Sequence, residues 1–282
     1  MMLAKKVLIL GANGNIGSQL LQLMQDSFGW DKKDADVTDF NAFSAKFNSI
    51  AAQIDTVINC VAYNDVDGAE NQKDLAFKLN AEFPRLLATL TNQHGITLVH
   101  YSTGYVFSGH KPTYVETDTP DPISVYGASK AQGEKYIEES TDTFYIIRTN
   151  ILFGPKGKSE ISKPSVVDIM RERGMKDRVL KGVTDEVASF TYTPDLAVAT
   201  KELVFGEYPF GIYHLINEGS GSWYELAKEI FKIIGEEIII TPVESSEFKR
   251  AARRPRSSVL INTKLPNLRP WQDALREYLK LT

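Results

Sequence analysis

The chain has 282 residues, of which 43% are hydrophobic, and a formal net charge of −4. This length allows one large domain or two modest ones, each with a buried core. The mild, interspersed charge excludes the basic surface of a nucleic-acid-binding protein. No apolar run approaches the ~20 residues of a membrane span, and the first residues run directly into a short strand, so we expect neither a membrane segment nor a signal peptide.

Cysteine and histidine are sparse. Cys60 is the only cysteine, which excludes internal disulfides and is typical of a protein in the reducing cytoplasm. The four histidines have no ligand spacing with one another or with Cys60. The sequence therefore predicts a cytoplasmic protein without a metal site.

The first pattern along the chain is a strand, a glycine-rich turn and a helix. Residues 6–10 form a short strand that is apolar after Lys6, and Gly11, Gly14 and Gly17 follow at three-residue spacing. Apolar residues then recur at helical spacing as far as Met24. Glycines let the backbone approach a pyrophosphate, and the helix N-terminus offers N–H groups to it. This arrangement predicts a dinucleotide-binding βαβ unit.

The second strand of this unit is not visible, because residues 26–39 contain no apolar run. An acidic residue ~20 positions after the glycines favours NAD, and a basic residue favours NADP. Asp31, Lys32, Lys33 and Asp36 all lie in this interval. These signals conflict, so the residues themselves leave both cofactors open.

Three further apolar runs, residues 54–62, 97–101 and 144–149, predict buried parallel strands. The ends of parallel strands meet at one edge of the sheet, which places residues 60–63 and Thr103 near the cofactor. By itself, Thr103 is more typical of a strand-end residue that satisfies local backbone than of a catalytic residue.

Tyr126 and Lys130 are four residues apart, which places a phenol and an ammonium on one face of a helix. Tyrosine titrates near pH ~10, so proton transfer near neutrality requires its pKa to fall by ~3 units. A cation beside the phenolate in a partly dry site lowers the pKa in this direction. Alone, this spacing is more typical of a solvated helix. Together with the glycine turn and Thr103, it predicts a proton donor.

The alternation of strands and helices predicts an α/β fold, a Rossmann-type doubly wound parallel sheet with a smaller C-terminal substrate-binding region. Residues 223–234 and 271–281 are further predicted helices. The composition loosens into Gly, Lys, Ser and Pro over residues 154–164, which we interpret as the first exit from the sheet domain. The predicted dinucleotide-binding domain comprises residues 1–152, about 184–216 and 256–271, and the smaller region comprises about 153–183, 217–255 and 272–282.

These motifs, in this order, resemble the extended short-chain dehydrogenase/reductase family, and within it the dTDP-4-dehydrorhamnose reductases. The resemblance runs the length of the chain. Its most specific segments are residues 36–39, 57–63, 66–70, 102–107, 126–134, 148–149, 193–197, 211–215 and 254–260.

The resemblance implies that Tyr126 gives a proton to a ketone oxygen while a nicotinamide delivers hydride to the carbon. Thr103 would hydrogen-bond the same oxygen, and Lys130 would hold the ribose and lower the pKa of the tyrosine. NADP(H) is slightly favoured over NAD(H). The implied cofactor contacts are Gly11, Asn13, Gly14, Asn15, Ile16, Gly17, Asp36, Val37, Cys60, Val61, Ala62, Tyr63, Asn80, Ser102, Tyr126, Lys130 and Thr149.

The implied substrate is a nucleotide-linked 4-keto-6-deoxy sugar, used for polysaccharide synthesis. Its diphosphate would pair with Arg253, Arg254 and Arg256, although a solvated basic turn explains these residues equally well. A homodimer is left open by the resemblance. The implied substrate contacts are Val66, Thr103, Tyr105, Tyr126, Ile151 and Arg254.

The chain departs from the family pattern mainly on the substrate side. Gly104 stands where the family usually has Asp, and Ile151 where many members have Trp. Residues 185–191 differ from the family's Asp-Gln-x-Gly-x-Pro-Thr loop. Gln19 replaces one acidic residue of a magnesium-linked dimer found in some members.

Two other functions fit the same scaffold. A sugar-nucleotide epimerase or dehydratase is one, but a dehydratase needs a further acid and base, and Gly104 and Tyr105 follow Thr103 where such enzymes carry an Asp-Glu pair. The other is a non-catalytic dinucleotide-binding subunit, resembling the regulatory beta subunit of methionine adenosyltransferase. The intact set of Thr103, Tyr126 and Lys130 favours an enzyme.

Overall fold

The structure, a computed structural model, describes residues 6–159 and 162–281. The parts of the predicted domain division that fall on residues 1–5, 160–161 and 282 lie outside this description. The helices are α1 (Asn15–Leu23), α2 (Phe40–Ile50), α3 (Val66–Asn71), α4 (Lys73–Phe77), α5 (Phe83–His94), α6 (Val125–Ser140), α7 (Val166–Asp177), α8 (Thr193–Phe205), α9 (Trp223–Ile234) and α10 (Trp271–Leu281). The strands are β1 (Val7–Leu10), β2 (Ser27–Trp30), β3 (Thr56–Asn59), β4 (Thr97–Thr103), β5 (Phe144–Thr149), β6 (Leu152–Phe153), β7 (Val179–Val183), β8 (Val187–Ala188), β9 (Thr191–Tyr192), β10 (Gly211–His214), β11 (Asn217–Glu218), β12 (Gly221–Ser222), β13 (Ile239–Val243), β14 (Ser257–Ser258) and β15 (Leu268–Pro270).

The central sheet has six parallel strands in the order β2-β1-β3-β4-β5-β10. The chain leaves β1 toward one edge and returns to β3 on the other side of β1, so the strand order reverses between β1 and β3. Ligands of doubly wound sheets bind at this point, outside the carboxyl ends of the strands. The prediction of a Rossmann-type parallel sheet is confirmed.

Helices cover both faces of the sheet, because alternate residues of each buried strand point to opposite sides. On one face, Val7 and Ile9 pack in a cluster with Leu196 and Leu203 of α8. On the other face, residues of β1 pack with α2, α5 and α6 in a second cluster, in which Phe43 contacts Phe83 edge to face at 4.9 Å between ring centroids.

The strand that the sequence did not reveal is β2, which pairs in parallel with β1 from Ser27 to Trp30. It is an edge strand, and only Trp30 among its residues is fully buried. An edge strand buries little apolar surface, which explains the missing apolar run. Gly29 is required here because a Cβ would lie 2.2 Å from the Cβ of Ala12 in the glycine turn.

The C-terminal part of the chain has its own apolar cluster, in which Phe153, Phe190, Leu226 and Trp271 are buried together. The predicted helices at residues 223–234 and 271–281 match α9 and α10, whereas the sequence did not predict α7 or the parallel pair β7–β13. The division into two domains stays a prediction. Among the described residues, no helix is long and apolar enough to cross a membrane.

Candidate active site

A cavity of about 710 Å³ opens at the carboxyl ends of the sheet strands. Its size lies within the range of small-molecule and cofactor sites. The predicted site residues that line it are Gly11, Gly14, Asn15, Ile16, Asp36, Val37, Cys60, Val61, Ala62, Val66, Ser102, Thr103, Tyr105, Tyr126, Lys130, Thr149 and Ile151. Asn13, Gly17, Tyr63, Asn80 and Arg254 are not among its lining residues.

The glycine turn has the shape that a bound pyrophosphate requires. Gly11 has a φ of +72°, and a Cβ on Gly17 would lie 2.2 Å from the carbonyl oxygen of Gly11. Gly14 caps α1 without a side-chain hydrogen bond, so no side chain competes for the N–H groups of the first turn. These groups and the positive end of the helix fit an anionic diphosphate. Gly17 thus allows the close packing of α1 against Gly11 and does not line the cavity.

The loop after β6 closes over this turn. Gly157 N–H donates to Asn15 Oδ1 at 2.9 Å, and Ser159 N–H donates to the Asn13 carbonyl oxygen at 2.8 Å. Asn13 therefore holds the loop through its backbone. The sequence marked this stretch only as an exit from the sheet domain, but Ser159, Ser162 and residues 163–165 also line the cavity.

Asn80 positions its neighbours instead of lining the cavity. It lies in a π-helical turn, Lys78–Glu82, and is fully buried. Its side chain accepts from Tyr63 N–H at 2.8 Å and donates to the Tyr63 carbonyl oxygen at 3.0 Å and to Ser129 Oγ at 2.9 Å. The segment after β3 is thereby tied to α6. Extra-wide helical turns of this kind occur frequently at functional sites.

The helix α6 delivers Tyr126 to the sheet edge. Ser124 caps the helix by accepting from Gly127 N–H at 3.1 Å, and Glu70 accepts from Val125 N–H at 2.9 Å. A Cβ on Gly127 would lie 2.2 Å from the carbonyl oxygen of Tyr105, so glycine is needed for the close approach of the helix to the segment after β4. This approach brings the first turn of α6 against the end of β4.

Thr103 and Tyr126 meet in the cavity. Burial raises the pKa of Tyr126, and the neighbouring Thr103 side chain opposes this effect. Thr103 Oγ1 also accepts from Tyr105 N–H at 3.2 Å, so its position is fixed by the turn that follows β4. Two hydroxyl groups, one from a strand end and one from a helix, therefore lie together at the predicted place.

Lys130 is 2% exposed and lines the same cavity. Its Nζ donates to the Tyr101 carbonyl oxygen at 2.5 Å and lies 3.1 Å from His100 Nε2. Burial lowers the pKa of Lys130 to about 8. Thr103 is the side chain that lowers the pKa of Tyr126 here, while the lysine amine donates to β4; the expectation that Lys130 lowers this pKa stays a prediction.

A buried ion pair supports α6 one turn beyond Lys130. Arg148 of β5 and Glu134 are 1% and 2% exposed, with Arg148 NH2 2.7 Å from Glu134 Oε2 and Nε 3.0 Å from Oε1. Ser102 Oγ also donates to Glu134. A buried pair of this geometry fixes the helix against the ends of β4 and β5.

The other end of the cavity is lined by residues of the segment in which the sequence signals for NAD and for NADP conflicted. Asp31 and Lys32 follow β2 directly, and Asp36 and Thr38 lie beside them on the cavity wall. Asp36 accepts from Thr38 N–H at 2.9 Å and from Thr38 Oγ1 at 2.7 Å, and these bonds lower its pKa. One oxygen of this carboxylate is thus bonded to Thr38, and Lys32 supplies a cation that fits a 2′-phosphate.

The substrate side contains two of the departures from the family pattern, Gly104 and Ile151. A Cβ on Gly104 would lie 2.9 Å from Asn150 Nδ2, which donates to both the carbonyl oxygen and the hydroxyl of Ser258 at 2.7 Å. The Asn150 amide therefore occupies space next to the position at which the family usually has Asp. Ile151 has a φ of +20°, an outlier for a β-branched residue. Strain of this kind is concentrated at functional sites.

Arg254 is held away from the cavity by an ion pair. Its NH2 lies 2.6 Å from Asp67 Oδ2, and its NH1 donates to Asp67 Oδ1 at 3.1 Å and to the Ala252 carbonyl oxygen at 3.0 Å. This pairing lowers the pKa of Asp67 to about 2. A contact between Arg254 and a diphosphate, which remains a prediction, requires the pair with Asp67 to open. Tyr105, which does line the cavity, has its pKa raised to about 12 by burial.

Comparison with known proteins places this geometry in a family. The sequence pattern of the family described as "RmlD substrate binding domain" matches residues 5–282. The chain is 35% identical to the spore coat polysaccharide biosynthesis protein SpsK of Bacillus subtilis (strain 168), over 98% of this chain and 97% of that protein. It is 36% identical to a probable dTDP-4,6-dihydroxy-2-methyloxan-3-one 4-ketoreductase of Streptomyces antibioticus, over 96% and 93%.

A solved structure is similar over the whole chain. The dTDP-4-dehydrorhamnose reductase of Bacillus anthracis str. Ames, in complex with NADP, superimposes with a TM-score of 0.91 at 33% identity. The match covers 99% of this chain and 100% of that one.

Proposed function

The chain belongs to the RmlD substrate-binding domain family, and we propose that it is an NADPH-dependent reductase of the 4-keto group of a nucleotide-linked 6-deoxy sugar. The observation that carries this proposal is that Thr103, Tyr126 and Lys130 line the same cavity as the glycine turn. Relatives of similar length are named as reductases of dTDP-linked keto sugars, and one of them binds NADP.

The proposed roles follow from the chemistry of the residues. When bound over the glycine turn, a reduced nicotinamide supplies hydride. Tyr126 donates its proton to the substrate oxygen, and Thr103 donates a hydrogen bond to the same atom. Two donors on this oxygen stabilise the transition state more than the ketone, because the negative charge develops there during reduction. Lys130 would hold the cofactor ribose and return a proton to Tyr126.

The choice of NADPH is supported by Lys32 at the ribose end of the cavity and by the NADP bound to the similar Bacillus anthracis structure. The cytoplasm is the proposed compartment, because the only cysteine, Cys60, is a free thiol and no disulfide stabilises the chain. A role in supplying a polysaccharide precursor is part of the same proposal, in line with the name of the Bacillus subtilis relative.

The test is a panel of 4-keto-6-deoxy sugars carried by dTDP, UDP or GDP, with NADPH or NADH, read as loss of absorbance of the reduced nicotinamide. We expect consumption of NADPH with a dTDP-linked keto sugar and one reduced sugar formed per NADPH oxidised. An epimerase or dehydratase would convert sugar without net loss of NADPH. Binding of NADPH without consumption on any keto sugar would instead support a regulatory subunit.

A further inference from the structure

Behind Lys130 lie two buried polar side chains, His100 and Asn59, that the proposed reaction does not yet use, and the three residues form a row. Lys130 Nζ is 3.1 Å from His100 Nε2, and His100 Nδ1 is 3.0 Å from Asn59 Nδ2. Asn59 Oδ1 in turn accepts from Val61 N–H at 3.1 Å. His100 is fully buried and Asn59 is 1% exposed. The row therefore runs from the backbone after β3, through β4, to the amine of α6.

The direction of these hydrogen bonds is set by the backbone. Val61 N–H is a donor and cannot reverse, so Asn59 presents its oxygen to Val61 and its NH2 group to His100. His100 Nδ1 must then accept. In a neutral imidazole the single proton is therefore on Nε2, the nitrogen that faces Lys130.

An ammonium has three donors and no acceptor, so it cannot form a hydrogen bond with an Nε2–H group. A neutral amine can: its lone pair accepts from His100 Nε2–H while one of its N–H groups donates to the Tyr101 carbonyl oxygen. The row of hydrogen bonds is complete only when Lys130 has lost its proton. Burial and the charge of Lys130 also hold the pKa of His100 well below its usual range, so the imidazole stays neutral.

We propose that Asn59 and His100 are positioning residues that fix the tautomer facing Lys130 and thereby weaken proton binding by its amine. The other ionisable groups around Lys130 are Glu134 and Tyr126 on its own helix and Cys60 at the end of β3. Glu134 favours the charged amine, but it is paired with Arg148. His100 is the group through which the backbone of β3 and β4 sets the charge of Lys130.

The consequence of this inference for turnover rests on the proposed reductase chemistry. Each turnover leaves Tyr126 as a phenolate, which regains its proton from the Lys130 ammonium, and Lys130 then recovers a proton from water. The neutral amine is the form produced by the first of these transfers. A row that stabilises this form makes Lys130 a better proton donor to the phenolate than an ordinary lysine, which keeps its proton up to pH ~10.4.

The direct test does not require turnover. In protein labelled with ¹⁵N-histidine, the His100 signals are assigned by their loss in His100→Gln, and their shifts report which ring nitrogen carries the proton. We expect the proton on Nε2 throughout the neutral pH range. A proton on Nδ1 would overturn the proposal, whatever the protein does with keto sugars.

The second readout is the titration of Lys130, followed in ¹³C-lysine-labelled protein and assigned with Lys130→Met. In Asn59→Leu, which has a similar volume and no amide, His100 is free to present a lone pair to the ammonium. We expect the pKa of Lys130 to rise by about one unit or more, a tenfold gain in proton affinity. Asn59→Asp accepts from both Val61 N–H and His100 Nδ1–H, so it also raises the pKa of Lys130. This variant replaces Asn59→Leu in the test if the leucine variant does not fold.

The matched control is Thr91→Val on α5. Thr91 is fully buried, and its hydroxyl donates to the Ala88 carbonyl oxygen at 3.0 Å. This variant loses a buried hydrogen bond remote from the row, so we expect an unchanged Lys130 titration. If neither Asn59 variant moves the titration, or if Thr91→Val moves it equally, the row does not set the charge of Lys130.

Discussion

Replacing Gly104 with Asp, the residue usual in the family, tests whether the Asn150 amide fills the space beside Thr103 that the family gives to an aspartate. The new Cβ would lie 2.9 Å from Asn150 Nδ2 and 3.1 Å from the Ser258 carbonyl oxygen. The first distance is shorter than real Cβ contacts allow, and Asn150 is held by two hydrogen bonds of 2.7 Å to Ser258. Overpacking a buried site costs about 1–3 kcal/mol, and the buried carboxylate adds to this.

The assay is thermal or urea unfolding of Gly104→Ala, Gly104→Asp and the double variant Gly104→Asp/Asn150→Ser. For a chain of this size, ~1–3 kcal/mol corresponds to a fall in Tm of roughly 2–6 °C for Gly104→Ala, and Gly104→Asp should lose more. Serine in place of Asn150 removes the amide from the contact. The double variant should therefore recover stability relative to Gly104→Asp, with a coupling of about 0.5–3 kcal/mol.

The reasoning is refuted if Gly104→Asp is as stable as the parent protein. It is also refuted if Asn150→Ser lowers the stability of Gly104→Asp by as much as it lowers the stability of the parent. Either result would mean that the Asn150 amide does not occupy the space that the family gives to an aspartate.

Three other predictions concern cofactor choice, pH and stability. Lys32→Ala should raise the KM for NADPH several-fold with little change for NADH, because a 2′-phosphate loses its cation; initial rates with both cofactors measure this. Burial lowers the pKa of Lys130 to about 8, so the ammonium is lost as pH rises through that value, and the rate of sugar reduction should fall above pH 8 and hold below it. Arg148→Met should cost about 3–5 kcal/mol in urea unfolding by leaving Glu134 charged and unpaired, and Arg148→Met/Glu134→Leu should lose less.

Sequence patterns predicted the elements whose signal is local. A glycine turn between a strand and a helix, and a Tyr and Lys on one helical face, need only spacing, and the structure lines the cavity with Gly11, Tyr126 and Lys130. The edge strand β2 was not predicted because its register is set by pairing with β1 and not by its own apolar residues.

The residues that act through distant partners were not predictable in the same way. His100 and Asn59 are 41 positions apart and read as ordinary strand residues, and Asn150 contacts Ser258 across 108 positions. Arg254 was assigned to the diphosphate from the resemblance and its charge, and nothing in the sequence indicated that the fold pairs it with Asp67. Only tertiary contacts decide such roles, although a polar residue inside an apolar strand, as His100 is, was an available signal.

The central claim is that Tyr126 donates the proton to a ketone oxygen in the cavity, and the most direct measurement compares turnover and cofactor binding in Tyr126→Phe. The phenylalanine keeps the ring and its edge-to-face contact with Tyr105 at 6.1 Å but removes the hydroxyl. We predict that NADPH oxidation with the keto sugar falls by a factor of ~10²–10⁴ while the Kd for NADPH changes little. Turnover that survives in this variant with NADPH still bound would contradict the account.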